Sequence, residues 1–238
     1  MRVAVLSDIH GNLPALRAVL SDLEREEVEE VVVAGDTISG PWPVEVLDAI
    51  AALDARVVRG NADQEVLQRS ARYGPLAVWC ADLLGEERLA AAASWPLTLE
   101  FDVEGLGRVL VCHSTPTSDE PIYTRITPED ELVELLGPVQ ADVLVCGHTH
   151  MQYDRALVGG LRVVNPGSIG MPYEGQPGAF WALLGPSVDF RRTTYDAAST
   201  VEAVRELSAP IREELLTVLI DPPSSDETTA YFESLRGA

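Results

Sequence analysis

Residues 143–150 read V-L-V-C-G-H-T-H. Four apolar residues suit a strand buried on both faces, Gly147 lets the backbone turn, and His148 and His150 arrive at the strand's C-terminal end. Residues two apart share a face in an extended segment, and a bend after Gly147 can fan the two imidazoles toward neighbouring ions. The rest of the chain then has to supply what such ions still lack.

The same layout recurs upstream. Residues 3–6 are apolar and lead into S-D-I-H-G-N, which carries Asp8, His10 and Asn12. A helical pattern follows in Leu13, Leu16, Val19, Leu20 and Leu23, with Asn12 placed to cap it and Pro14 in its first turn. Residues 31–34 form a second apolar run ending in Gly35-Asp36, with a helix expected over 43–53. Residues 56–58 form a third, ending in Arg59-Gly60-Asn61-Ala62-Asp63, with a helix expected from Gln64 to Arg72. Strand followed by polar residues and a helix is the βαβ pattern, and ligands bind at the C-terminal edge of such sheets.

Beyond these units, residues 73–94 read as two helices broken by Gly85 and carry no evident chemistry. Residues 97–103 alternate as a half-buried strand that pairs in a hairpin with residues 109–112, and His113 follows at once. The loop 114–127 is rich in Ser, Thr and Pro and contains Tyr123 and Arg125, so it is long and polar enough to border a substrate. After a helix over 128–136 and the run ending at His150, two hairpin-like stretches, 153–164 and 179–195, flank the tight loop N-P-G-S-I-G at 165–170. This change from alternating strand and helix to mainly strand implies a second sheet packed on the first. Residues 197–207, 211–220 and 228–235 read as closing helices. One domain is expected over residues 1–238, with a helical insertion at about 73–94 and C-terminal helices from about 197.

Composition narrows the chemistry. The 238 residues include 38 acidic and 17 basic ones, a formal charge of -21, which opposes nucleic-acid backbones and anionic membranes over most of the surface. Every basic residue except histidine is an arginine, so a P-loop lysine, a Schiff-base lysine and a Ser-Lys pair are all excluded. No apolar stretch approaches the roughly 20 residues of a membrane helix, and none makes a signal-peptide core; a cytoplasmic protein is expected. Cys80, Cys112 and Cys146 lack close spacing and read as buried thiols. Trp42, Trp79, Trp95 and Trp181 read as core, because no basic residues are interleaved with them.

The chain has four histidines, His10, His113, His148 and His150, and each lies at or just past the end of an apolar run, in company with Asp8, Asp36 and Asn61. One such histidine is ordinarily a hydrogen-bonded core or surface residue; four at equivalent strand ends point to a metal site of mixed imidazole and carboxylate character. The set D-x-H, G-D, G-N, a lone H and G-H-x-H, in that order from Asp8 to His150, resembles the calcineurin-like metallophosphoesterase superfamily. The resemblance implies a four-layer α/β/β/α sandwich of two mixed sheets flanked by helices, with two metals at the sheet edge. It implies that Asp8, His10 and His150 hold one ion, that Asn61, His113 and His148 hold the other, and that Asp36 bridges both. Asp36, Asn61 and His113 are then the catalytic set.

Elementary electrostatics favours that arrangement. Two ions about 3.5–4 Å apart need an anionic bridge, and together they lower the pKa of a shared water that can attack phosphorus in line. Manganese is the first expectation for the two divalent ions, with iron, zinc or nickel as alternatives. The phosphoprotein phosphatase branch carries a histidine after its G-N pair, where this chain has Ala62; Asp63 is then expected simply to cap the helix from Gln64. The departure favours the small bacterial and archaeal phosphodiesterase branch and a phosphodiester or activated ester of a small molecule, such as a nucleotide. Among possible substrate contacts, Asn12 can present its helix N-terminus to phosphate, Arg59 can reach phosphate or pair with a carboxylate, and Tyr123 and Arg125 can border the ester. An inactive scaffold on the same fold is the alternative, and it would be free to lose ligands that are all kept here. An endonuclease would want a basic groove that the charge opposes.

Overall fold

The computed structural model describes every residue except Tyr73, Arg212, Gly237 and Ala238. Strand and helix alternate first: β1 (Val3–Leu6), α1 (Leu13–Leu23), β2 (Glu30–Val33), α2 (Pro43–Ala52), β3 (Arg56–Val57), α3 (Asn61–Leu67) and α4 (Leu76–Ala93). Then come β4 (Thr98–Val103), β5 (Gly107–Cys112), α5 (Glu129–Leu136), β6 (Val143–Val145), β7 (Gln152–Ala156), β8 (Arg162–Pro166), β9 (Ala179–Leu184) and β10 (Val188–Thr193). Helices α6 (Ala197–Glu206), α7 (Glu213–Ile220) and α8 (Ser225–Leu235) follow.

The strands form two five-stranded sheets, β10-β9-β1-β2-β3 and β4-β5-β6-β8-β7. In the first, β1, β2 and β3 are parallel and β9 joins β1 antiparallel. In the second, β5, β6 and β8 are parallel, with β4 and β7 antiparallel at the edges.

Side-chain alternation decides the layers. Val3 and Val5 of β1 pack with Val109, Val111, Val143 and Val145 between the two sheets, while Ala4 and Leu6 turn the other way onto Leu16 and Val19 of α1. On the second sheet, Leu110 and Leu144 turn outward onto Leu132 and Leu136 of α5. Each central strand is apolar on both faces because it lies between a helix and a second sheet. Burial stabilises each such Val or Leu by about 1.5–3 kcal/mol. The expected α/β/β/α sandwich is thus present. All three cysteines are free and buried in the helix-side layers.

Caps hold the elements that carry site residues. Asn12 Oδ1 accepts from Ala15 N at 3.2 Å, which fixes the start of α1 directly after His10. Helix α3 starts three residues earlier than expected. Gly60 is its N-cap, and Asp63 at the third helical position reaches back to accept from Gly60 N at 3.0 Å. The expected cap role for Asp63 is therefore displaced into the first turn, and Asn61 becomes the first helical residue. α4 contains the expected break at Gly85, whose φ of 69° and ψ of 170° interrupt the helix; Tyr73, the first residue of the expected insertion, lies outside the described residues.

Candidate metal centre

The C-terminal ends of β1, β2, β5 and β6 meet at one edge of the sandwich. Asp8 N donates to Gly35 O at 3.0 Å and Gly147 N to His113 O at 2.8 Å, so the loops after the strands are tied pairwise. His148 N then donates to both carboxylate oxygens of Asp8 at 3.2 Å, joining the two sheets.

Backbone conformation aims the side chains. Among the described residues, the non-glycine positions with positive φ include Asp8 (51°), His10 (45°), Asp36 (52°), His148 (69°) and His150 (60°). The left-handed region costs most residues of order 1–3 kcal/mol and is tolerated best by Asp, Asn and His. Five such residues at one edge let short reversals turn several side chains toward a common point. Glycines allow the loops to close on them. A Cβ on Gly40 would lie 1.7 Å from His10 O, and one on Gly60 would lie 2.1 Å from Asp36 Oδ1.

The candidate ligand atoms fall into two groups that share Asp36. In the first, donor atoms of Asp8, His10, Asp36 and His150 all lie within 4.8 Å of one another. His150 Nε2 is 3.1 Å from Asp8 Oδ1 and 3.2 Å from His10 Nε2, which is itself 3.6 Å from Asp36 Oδ2. In the second, His113 Nε2 is 3.0 Å from Asn61 Oδ1, 3.2 Å from His148 Nδ1 and 3.5 Å from the same Asp36 Oδ2. Asp36 Oδ1 accepts from Ala62 N at 2.8 Å, which holds its other oxygen between His10 and His113.

The donor chemistry fits cations. His113 Nδ1 lies 2.8 Å from Ala34 O and His150 Nδ1 lies 2.8 Å from Met171 O. A carbonyl can only accept, so both rings carry a proton on Nδ1 and present Nε2 to the cluster. His148 Nε2 is buried without a hydrogen-bond partner. Imidazole, carboxylate and amide groups, the donor types that hold divalent ions, thus converge at one edge of the sandwich.

The charges within the protein follow from burial and proximity. Burial would lower the pKa of His113, but the Asp36 charge outweighs it and holds the ring up to about 10. Burial and the neighbouring His113 charge push His148 down to about 4. Burial would raise Asp36, yet His113 and His10 hold its carboxyl far below the usual range. At neutral pH His113 is therefore an imidazolium facing an Asp36 carboxylate. An ion that takes its Nε2 must displace that proton, so affinity for the ion falls as pH falls.

Residues beyond the expected ligands hold the cluster. Asp63 is fully buried, and its Oδ1 accepts from Thr37 N at 2.8 Å and Ile38 N at 3.0 Å while Oδ2 accepts from Gly60 N. It therefore ties the loop after β2 to the loop after β3. Burial and the Asp36 charge push its pKa up to about 7 against the pull of those three N–H groups. The loop after β8 straps both sheets: Ser168 Oγ donates to Asp8 O at 2.8 Å, and Asn165 Nδ2 donates to Gly147 O at 2.6 Å. Tyr173 stacks on the His150 ring with centroids 5.0 Å apart and planes 11° apart. The N-P-G-S sequence signals the turn; the stacking carries no sequence signal.

The four expected substrate contacts divide. Asn12 stays beside His10, with its amide nitrogen 3.3 Å from Gly170 O and 3.2 Å from Tyr195 Oη. Arg59 pairs with Asp119 at 3.6 Å. Tyr123 is 3% exposed and donates to Ser114 O at 2.7 Å, turned into the core beneath α5. Arg125 reaches Ser225 and Asp226 at the start of α8. The structure does not bring Tyr123 or Arg125 to the cluster, because each satisfies its polar group elsewhere.

Residues 1–184 match the calcineurin-like phosphoesterase superfamily domain. The Escherichia coli K12 phosphodiesterase YfcE is 28% identical over 194 residues, covering 77% of this chain and 87% of that protein. A metallophosphoesterase structure from Sphaerobacter thermophilus aligns with a TM-score of 0.74 at 28% identity, over 92% of this chain and 98% of the other. A hypothetical protein of Pyrococcus horikoshii aligns with a TM-score of 0.81 at 25% identity, over 94% and 99%. No helix among the described residues is long and apolar enough to cross a membrane. With its sandwich, its strand-end cluster and this match, the chain belongs to the calcineurin-like phosphoesterase superfamily.

Proposed function

We propose that the protein is a two-metal phosphodiesterase acting on small phosphate esters. Asp8, His10 and His150 would hold one divalent ion, Asn61, His113 and His148 the second, and Asp36 both. The observation that carries this reading is the single Asp36 oxygen lying 3.6 Å from His10 Nε2 and 3.5 Å from His113 Nε2, between the two ligand groups. Nitrogen and oxygen donors without a thiolate suit manganese, with iron, zinc or nickel as alternatives. Such ions, when bound, supply Lewis acidity that lowers the pKa of water and offsets charge on phosphoryl oxygens.

The protein's own part is positional. Carbonyl contacts at Ala34 and Met171 fix the tautomers of His113 and His150, and the Ala62 N–H fixes the Asp36 carboxylate. All four histidines are committed to the cluster, so no imidazole remains to protonate a poor leaving group. Ala62 stands where a branch of the superfamily carries one. This favours diesters and activated esters over alkyl monoesters. Three buried free thiols accord with a reducing, cytoplasmic setting, and a site built by loops of both sheets supports treating residues 1–238 as one domain.

The test uses metal-stripped protein with manganese restored, assayed on bis-p-nitrophenyl phosphate, p-nitrophenyl phosphate and an alkyl phosphomonoester. Turnover should require metal and favour the aryl diester over the alkyl monoester by about tenfold or more, the scale of one missing general acid being 10²–10⁴ for a poor leaving group. Equal or faster hydrolysis of the alkyl monoester would overturn the preference. No turnover of any ester with two ions bound would transfer the weight to a scaffold.

A further inference from the structure

A cavity of about 300 Å³ opens beside the cluster, with His10, Asn12 and Asn61 in its lining. Its lining is mainly apolar and includes Pro41, Leu76, Met171, Ile211, Leu215 and Leu219. The last three belong to α7 and the segment before it, beyond the residues that match the superfamily domain. Polar wall groups are mostly committed. Thr200 Oγ1 donates to Asp196 O at 2.7 Å, Ser70 Oγ accepts from Arg72 N at 3.2 Å, and Asn12 caps α1. Glu65, one turn after Asn61 on α3, places a carboxylate in the wall.

We infer that this cavity receives the ester arm that stays on phosphorus rather than the leaving group, and that this arm is a short, uncharged alkyl chain. The inference rests on the diesterase reading above and names its substrate class. Continuity with His10 and Asn61 places whatever fills the cavity next to the reacting phosphate. The lining is mainly aliphatic, and several of its polar groups are committed within the protein. The Glu65 carboxylate opposes a second phosphate in the arm. The aliphatic walls reward each methylene removed from water.

The test is calorimetric titration of the manganese-loaded full chain with monoalkyl methylphosphonates, which carry the single charge of a diester and resist hydrolysis. Lengthening the chain from ethyl to hexyl should tighten Kd by about fourfold per methylene. The slope should flatten in Leu215→Gln and in Leu76→Gln, two half-buried lining positions that belong to different helices. A Kd independent of chain length in the unsubstituted protein, or tighter binding of a thymidine methylphosphonate than of the hexyl ester, would overturn the inference. The two readings fail separately. Aryl diester turnover with a flat slope would remove the alkyl arm and keep the diesterase, whereas a steep slope without turnover of any aryl diester would do the reverse.

Discussion

Asp36→Asn is expected to lower kcat/KM for bis-p-nitrophenyl phosphate by on the order of 10³, with the fold retained. The substitution is nearly isosteric, and an amide oxygen can still accept from Ala62 N at the 2.8 Å position. What it removes is the negative charge shared by the two groups of ligands. In place of the oxygen that lies 3.6 Å from His10 Nε2 and 3.5 Å from His113 Nε2, the amide presents an NH2 group to nitrogens that would bind ions. Loss of that anion also removes the partner that holds the His113 ring up to about 10. Steady-state kinetics together with metal content per chain checks the result. A variant with both ions and more than a tenth of the activity would show that Asp36 is not the shared ligand.

Gly40→Ala is expected to destabilise the protein by about 3 kcal/mol, because its methyl group would meet backbone rather than a movable side chain. The added Cβ would lie 1.7 Å from His10 O and 2.3 Å from His10 C, and His10 already holds φ at 45°. The loops after β1 and β2 would have to part, carrying His10 away from Asp36. Thermal unfolding should show a midpoint lower by roughly 6–12 °C, at 2–4 °C per kcal/mol for a chain of this size. Gly159→Ala is the control, since no atom lies within 4 Å of its added Cβ. Equal midpoints for the two variants would mean that the loops are not held as tightly as described.

The candidate site is readable in the sequence to the extent that strand ends are. Runs such as residues 3–6 and 143–146 are apolar on both faces only if sandwiched, and the polar residues immediately after them can only emerge at an edge. That logic finds Asp8, Asp36, His113, His148 and His150 without knowing how the strands pair. It fails for Tyr123 and Arg125. In a long loop the direction of a side chain is set by whichever partner satisfies it, here Ser114 O in the same loop for the phenol and Asp226, more than 100 residues away, for the guanidinium. Asp63 is under-read because two of its three N–H donors, Thr37 and Ile38, come from a loop remote in sequence. Left-handed backbone at five residues of the candidate site leaves no trace in composition, and the apolar cavity is lined in part by α7, whose role depends on where the helix docks.

The most direct test of the two-ion centre is calorimetric titration of metal-free protein with manganese near pH 8, in buffers of different ionisation enthalpy. The account predicts two ions per chain, release of a proton as the His113 imidazolium gives up its place beside Asp36, and affinity that weakens as pH falls. Binding of a single ion, or binding without proton release, would contradict it.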